Sequence, residues 1–296
     1  MSDNKPLVSV VMSCYNGEKY IGQTIESVLS QTYTNFEFII WDDGSTDSSK
    51  DIVESYKDER IRYFYHENTG LGMALRLACE QAKGKYIARM DADDISLPER
   101  FEKEVDFLER HQECVLVSSA VRYIDKDGNE LGRTFPCTDD AILKKSLLFS
   151  SMIVHPMVMM RREGYEKAGG YIPVKVFEDR IFWSRLAKYG KFSNITQVLG
   201  KYRLLNLSIS HIHSPYSSIL YDFRTKMIKD DVISSSDVEL YNAIYTISRK
   251  SHVSGTKVEQ KYKKRFGDQL FELLGGGHWA ERLISKLKNK YYSAKL

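Results

Sequence analysis

The first hundred residues alternate short, almost wholly apolar runs with runs of helical period. This constrains the fold more than any other feature, because strands and helices in strict alternation bury each other as βαβ units around a parallel sheet. Residues 7–13, 36–41, 61–65 and 85–90 read as strands. Between them, residues 18–30 read as a helix with Ile21, Ile25, Val28 and Leu29 on one face, and residues 70–82 as another. Ser45, Thr46 and Asp47 offer N-cap chemistry for a helix running to Tyr56, and a further helix is expected over 97–110.

After Cys114 the pattern loosens into apolar runs at 115–124 and 152–160, separated by turn signals such as Asp127-Gly128, which reads as further strands, some of them antiparallel. Beyond about His211 the sequence is mostly helical. The expected organisation is an α/β domain over 1–210 and a smaller, basic, helical region over 211–296.

With 296 residues, 42% hydrophobic and 28% charged, the chain is long enough to bury a sizeable core and has a soluble composition. No stretch reaches the roughly 18 apolar residues of a spanning helix. The apolar segment at 7–12 is too brief for a signal-peptide core, so a cytoplasmic location is expected. Cys14, Cys79, Cys114 and Cys137 are far apart and form no CxxC pair, which points to reduced, mostly buried thiols. The net charge is +3, but residues 249–296 hold twelve Lys/Arg against four Asp/Glu, a surplus of +8 that leaves −5 for residues 1–248. An acidic body with a basic end argues against a nucleic-acid groove and leaves an anionic membrane surface or an acidic partner.

In a parallel sheet the residues just past the strand ends gather along one edge, where such folds bind ligands. Here that edge would gather Asp42 and Asp43 after the second strand with Asp91, Asp93 and Asp94 after the fourth. Each alone is as readily a turn or cap residue. Several together need a divalent cation or donors from a ligand to offset their repulsion. The first strand-to-helix turn, Ser13-Cys-Tyr-Asn-Gly-Glu, lacks both GxGxxG and GxxxxGK, so neither usual phosphate cradle is present.

Four segments, VSVVMSCYNG from Val8, IESVLSQ from Ile25, DDGSTD from Asp42 and AKGKYIARMDADD from Ala82, resemble family 2 glycosyltransferases of GT-A fold. The similarity is continuous over about 6–110, resumes at His155-Pro-Met-Val-Met-Met-Arg, Gly169-Gly-Tyr and Glu178-Asp179, and fades after about Ser210. It implies a Rossmann-like, mostly parallel mixed sheet flanked by helices, with a helical C-terminal extension. It further implies an inverting transferase that moves a hexose from a UDP-sugar, UDP-Glc or UDP-Gal being favoured. The implied acceptor is a saccharide on undecaprenyl diphosphate at the inner face of the bacterial membrane, in surface-polysaccharide synthesis of the O-antigen or capsule kind. By the same resemblance, Asp42 would accept a hydrogen bond from uracil and Tyr15 would flank the base. Asp91 and Asp93 match the DxD motif: Asp91 would lie near ribose or sugar hydroxyls and Asp93 would bind Mn²⁺ or Mg²⁺.

From spacing alone, Glu178 and Asp179 start a helix and read as an ordinary cap. The resemblance makes Asp179 the general base that takes the acceptor hydroxyl proton. His155 would lie on the acceptor side or be a satisfied core histidine, while Arg161 and Arg162 rank low as diphosphate contacts. Two departures from the family pattern stand out. A metal-completing histidine is replaced by Leu205, so either His211 or His213 substitutes or phosphates and water complete the shell, and the usual Asn of the third helix is replaced by Arg76.

In the tail, Trp279, Leu283, Leu287 and Tyr291 share a helical stripe beside Arg282, Lys286 and Lys290. Such a helix either lies in the membrane interface or packs on the domain. Three other readings compete: a sugar-phosphate nucleotidyltransferase, which needs a Gly-rich, Arg-bearing first loop that 13–20 lacks; a phosphatase, against which Ile95 counts; and a degenerate transferase serving as a scaffold.

Overall fold

The computed structural model describes residues 5–147, 151–205, 233–235, 237–239 and 241–242. The chain divides into two compact units, Met1–Ile212 with Asp222–Ile233, and His213–Tyr221 with Ser234–Leu296. Nearly all described residues belong to the first.

In chain order the first unit runs β1 (Val8–Cys14), α1 (Ile21–Leu29), β2 (Phe36–Asp42), α2 (Ser49–Ser55), β3 (Ile61–Tyr65), α3 (Leu71–Glu80), β4 (Tyr86–Asp91), β5 (Ile95–Ser96) and α4 (Arg100–Arg110). It continues through β6 (Cys114–Ile124), β7 (Glu130–Arg133), α5 (Asp140–Ser146), a 3-10 turn at His155–Met157, β8 (Met159–Arg161), α6 (Arg162–Lys167), α7 (Glu178–Leu186) and β9 (Lys191–Arg203). The strands form one mixed sheet in the order β3-β2-β1-β4-β8-β6-β9-β5, with β7 against β6. Its first four strands are parallel, β8 runs antiparallel to both β4 and β6, and β9 returns parallel to β6.

β1 and β2 are apolar nearly throughout because helices cover both faces of the sheet. One side of the sheet packs Val8, Val10 and Met12 against Ile21, Ile25 and Val28 of α1 and Phe101, Val105 and Leu108 of α4. The other packs Val11, Ile39 and Ile87 against Ala74, Leu75 and Ala78 of α3 and Phe182, Trp183 and Leu186 of α7. Strand order reverses at β1, whose neighbours are β2 and β4, and such a reversal opens a crevice beyond the strand ends. Register places that crevice: Cys14 pairs with Asp42 on one side, and Ser13 with Asp91 on the other.

The helices begin later than their period suggests. α1 starts at Ile21 and not at residue 18, because residues 16–18 are bonded to the loop after β2 and to the first residue of α2. Asn16 N donates to Ser45 Oγ (2.9 Å), Gly17 N to Ser49 Oγ (2.8 Å) and Glu18 N to Asp47 Oδ2 (3.0 Å). In return, Thr46 N donates to Asn16 Oδ1 and Ser48 N to Glu18 Oε2. Ser45 and Thr46 therefore serve this lacing and do not cap α2; Asp47 accepts from Ser49 N at 3.0 Å. α4 begins at Arg100, since Pro98 follows the short strand β5, which pairs with the distant β9. The apolar run 152–160 is a 3-10 turn followed by three strand residues, with Pro156 in the first turn. All four cysteines are free, and Cys14, Cys79 and Cys114 are buried. Among the described residues no helix is long and apolar enough to cross a membrane.

Candidate active site

The crevice is built by two laced loops and two acidic strand ends. Asp42, at the end of β2, is buried; its Oδ1 accepts from Ser45 N and its Oδ2 from the Tyr63 hydroxyl, each at 2.7 Å. The carboxylate is thus held rigid, and each oxygen keeps a lone pair for a further donor. The neighbouring carboxylate pushes the Tyr63 phenol further above its usual range, after burial. Asp43, in the loop after β2, instead reaches across to the loop after β3, where it accepts from Thr69 N, Thr69 Oγ1 and Gly70 N, all at 2.8 Å, and so closes the segment before α3. Gly44 follows at φ +84°, and a Cβ there would lie 2.8 Å from Asn68 N, so this turn requires glycine. Tyr15 stands 55% exposed at the end of β1, which leaves its ring available for stacking.

At the end of β4, Asp91, Asp93 and Asp94 bring ligand oxygens within 4.8 Å of one another. Burial, with Asp91 adding to it, raises the Asp93 carboxyl to about 6. The same causes, joined by the charge of Asp93, raise Asp94 well above the ordinary range. Asp94 Oδ1 accepts from Arg203 N at 2.8 Å, while among the described residues its buried Oδ2 has no hydrogen-bond partner. An orphaned carboxylate oxygen in a three-carboxylate cluster fits a hard divalent cation with oxygen ligands. The sequence placed all three at this edge and, by resemblance, gave the metal to Asp93; the structure brings the oxygens of all three together.

Two arginines that sequence reasoning passed over support this cluster. Arg89 lies two residues before Asp91, and its Nη2 is 2.5 Å from Asp91 Oδ1. Arg203, at the end of β9, is buried and donates to Asp93 O (2.9 Å), Asp125 O (3.0 Å) and Gln23 Oε1 (2.8 Å), with its guanidinium 4.3 Å above the Tyr20 ring. For Arg89 the available signal was its position, a charged residue inside the otherwise apolar strand β4, and buried charges are rare unless paired; Arg203 ends a strand that is polar along much of its length and gave no such signal.

Glu178 and Asp179 form the first turn of α7. The preceding residue, Phe177, has φ +61°, a left-handed conformation that bulky residues rarely adopt and that clusters at functional sites. Glu178 is buried, and burial, then Asp179 and Asp91, push its carboxyl up to about 8 although Arg89 opposes them. Its dependence on both Asp179 and Asp91 puts the helix start and the carboxylate at the end of β4 in one electrostatic neighbourhood. Asp179 is half-buried, and its Oδ1 accepts from Arg180 N at 2.7 Å.

His155 Nε2 lies 2.9 Å from the Tyr171 hydroxyl, and its ring meets Trp183 edge-on at 5.4 Å. Its Nδ1 is 3.8 Å from Glu178 Oε1, too far for a hydrogen bond. Burial, reinforced by Arg89, holds its pKa well below 6.5, so a neutral imidazole faces a largely protonated Glu178 and the contact is no ion pair.

Three other candidates lie elsewhere. Arg76 pairs with Glu80 at 3.1 Å and reaches Tyr171 O at 3.4 Å. Arg161 binds Cys114 O and Leu108 O, and Arg162 binds Gly84 O; in β8 Arg161 pairs with Tyr86, the first residue of β4, at the end of the sheet away from the carboxylates. Arg161 and Arg162 are therefore structural ties and not diphosphate contacts. His211, His213 and the tail stripe lie outside the described residues.

Residues 9–169 match the family model described as glycosyl transferase family 2. This chain belongs to that family. It is 38% identical over 210 residues to an uncharacterized glycosyltransferase of Methanocaldococcus jannaschii, covering 69% of this chain and 72% of that one. It is 34% identical over 215 residues to the putative teichuronic acid biosynthesis glycosyltransferase TuaG of Bacillus subtilis, covering 71% and 84%. The structure of S. aureus TarS residues 1–349 in complex with UDP-GlcNAc superposes with a TM-score of 0.65 at 18% identity, covering 96% of this chain and 87% of that one. The mixed sheet flanked by helices is the GT-A glycosyltransferase fold, and the chain is a glycosyltransferase.

Proposed function

We propose that this glycosyltransferase moves a hexose, with inversion, from a UDP-sugar to a lipid-linked saccharide acceptor in the assembly of a bacterial surface polysaccharide. UDP-Glc and UDP-Gal are the favoured donors, and undecaprenyl diphosphate is the favoured acceptor lipid. The observation that carries the reading is the carboxylate cluster of Asp91, Asp93 and Asp94, with its orphaned oxygen, at the strand-order reversal and in the same electrostatic neighbourhood as Glu178 and Asp179. The UDP-GlcNAc complex of TarS and the assignment of TuaG to teichuronic acid synthesis support the donor class and the pathway class.

In this reading Asp42 receives the uracil N–H, and Tyr15 covers the base. Asp91 meets ribose or sugar hydroxyls. Asp93, with Asp91 and Asp94 beside it, would hold Mn²⁺ or Mg²⁺, which supplies Lewis-acid stabilisation of the departing diphosphate. Asp179 takes the acceptor hydroxyl proton as that oxygen attacks the anomeric carbon opposite the leaving group. Glu178, whose carboxyl burial pushes up to about 8, is not a second base. The basic C-terminal region, 211–296, is proposed to hold the enzyme at the inner face of the membrane.

The test is calorimetric titration of UDP and of GDP, with and without Mn²⁺, into the wild type and Asp93→Ala. UDP binding that requires both the metal and Asp93 supports a live donor site and leads to screening UDP-sugars with lipid-linked acceptors. Binding of neither nucleotide under any condition shifts the reading to a scaffold.

A further inference from the structure

The two-residue repeat of a strand places Arg89 and Asp91 on the same face of β4, toward α3 and α7. Arg89 is almost completely buried, with 3% of its side chain exposed, against 29% for Asp91. Among the described residues, its Nε and Nη1 have no hydrogen-bond partner. A guanidinium stays charged in a protein, so burying one with two of its nitrogens unpaired is costly and needs a compensating role. Ile87, two residues earlier on the same face, fills its place in the core with no polar atom in its side chain, so the packing itself does not call for a charge.

The backbone around Arg89 is locked. Its N donates to Val158 O at 2.8 Å, and its carbonyl accepts from Arg100 Nη2 at 2.9 Å. Arg100 is in turn held by Glu104 in an ion pair with both side chains fully buried. The guanidinium therefore has a fixed base, and Asp91, which is partly exposed, takes its orientation from it.

We propose that Arg89 is a positioning residue for donor binding, which holds the Asp91 carboxylate where it receives a nucleoside diphosphate sugar. The proposal rests on the donor reading given above. Arg89 acts through Asp91 and touches neither substrate.

The test is a double-mutant cycle on UDP binding in the presence of Mn²⁺, read by calorimetry on the full chain. Arg89→Met and Asp91→Asn should each weaken binding by about 10- to 100-fold, the range for partners that orient a binding group. The double variant should bind no worse than the weaker single variant, since residues acting as one unit are not additive. Arg89→Lys keeps the charge without the fork and should recover part of the loss. If Arg89→Met does not fold, the cycle of Arg89→Lys with Asp91→Asn gives the same reading. Losses that multiply, or an Arg89 variant that binds as the wild type does, overturn the proposal while leaving the donor reading intact. A wild type that binds no nucleoside diphosphate overturns both.

Discussion

Arg203 donates its Nε–H to the carbonyl oxygen of Asp93 at 2.9 Å, so the last residue of β9 fixes the backbone of a carboxylate 110 positions earlier. Its own N–H holds Asp94 Oδ1 at 2.8 Å, and its remaining guanidinium nitrogens tie in Asp125 and Gln23. One side chain thus sets the acidic turn against α1 and the β6–β7 connection.

Replacing it with Met leaves several buried acceptors unpaired, at a cost of about 1–3 kcal/mol for each group that water cannot reach. Arg203→Met should therefore lower stability by about 2–4 kcal/mol and weaken Mn²⁺-dependent UDP binding, as read by urea denaturation and calorimetry. A variant with wild-type stability would remove Arg203 from this role.

The carboxylate cluster predicts a metal-dependent rise in thermal midpoint. Binding to the native state alone stabilises by about 2.7 kcal/mol at a free metal concentration 100 times Kd. Mn²⁺ should raise the midpoint of the wild type and leave Asp93→Asn unmoved. Without metal, Asp93→Asn should melt no lower than wild type, since it relieves repulsion among three acids, whereas Asp94→Ala should melt lower because it releases Arg203. Equal Mn²⁺ shifts in wild type and Asp93→Asn would exclude Asp93 as a ligand.

Tyr63 and Asp42 give a narrower prediction. Tyr63→Phe removes one hydrogen bond to a charged acceptor and changes no backbone. The expected loss is about 1–2 kcal/mol in uridine-nucleotide affinity, or roughly 5- to 30-fold in Kd, with the metal requirement unchanged. Titration of UDP into the variant at fixed Mn²⁺ measures it, and an unaltered Kd means the hydroxyl does not orient Asp42.

The parallel half of the fold was legible because its strands and helices are local, strongly patterned and joined in a fixed order. β1 and β2 lie within a residue of their expected bounds. The second half was not: β5 has two residues and exists only because β9, about a hundred residues later, pairs with it. At the site, Asp42, Asp91 and Asp93 were visible as carboxylates past strand ends. Arg89 showed only as a charge inside an apolar strand, with nothing to name its partner, and Arg203, at the end of a largely polar strand, could not be told from a solvated arginine. Asp43 and Asp94 were visible as acids, but their partners, Thr69 and Arg203, lie 26 and 109 positions away. Arg161 shows the converse error, a basic residue near a motif that three-dimensional placement sends to the far end of the sheet.

Glu178 and Asp179 are adjacent in sequence, yet the structure predicts opposite behaviour for them. Glu178 is buried and holds its proton up to about 8, far above the ordinary 4.5, with burial the main cause and Asp179 the second. Between those values the native state binds one proton that the unfolded chain has released, so this group makes stability fall as pH rises from about 4.5 to about 8 and adds no slope beyond. The slope is at most about 1.4 kcal/mol per pH unit for a single proton. Glu178→Gln carries an uncharged isostere and should lose that slope, so its urea midpoint should match wild type near pH 4.5 and exceed it near pH 8. Parallel pH profiles for the two proteins would place Glu178 in solvent and not in the core. Because Glu178 is already neutral at pH 7, Glu178→Gln should keep most of its transfer activity, whereas Asp179→Asn, lacking the proton acceptor, should lose about 100-fold or more with UDP affinity nearly unchanged. If the two variants lost activity equally, the base would have to be reassigned to the pair acting as one unit.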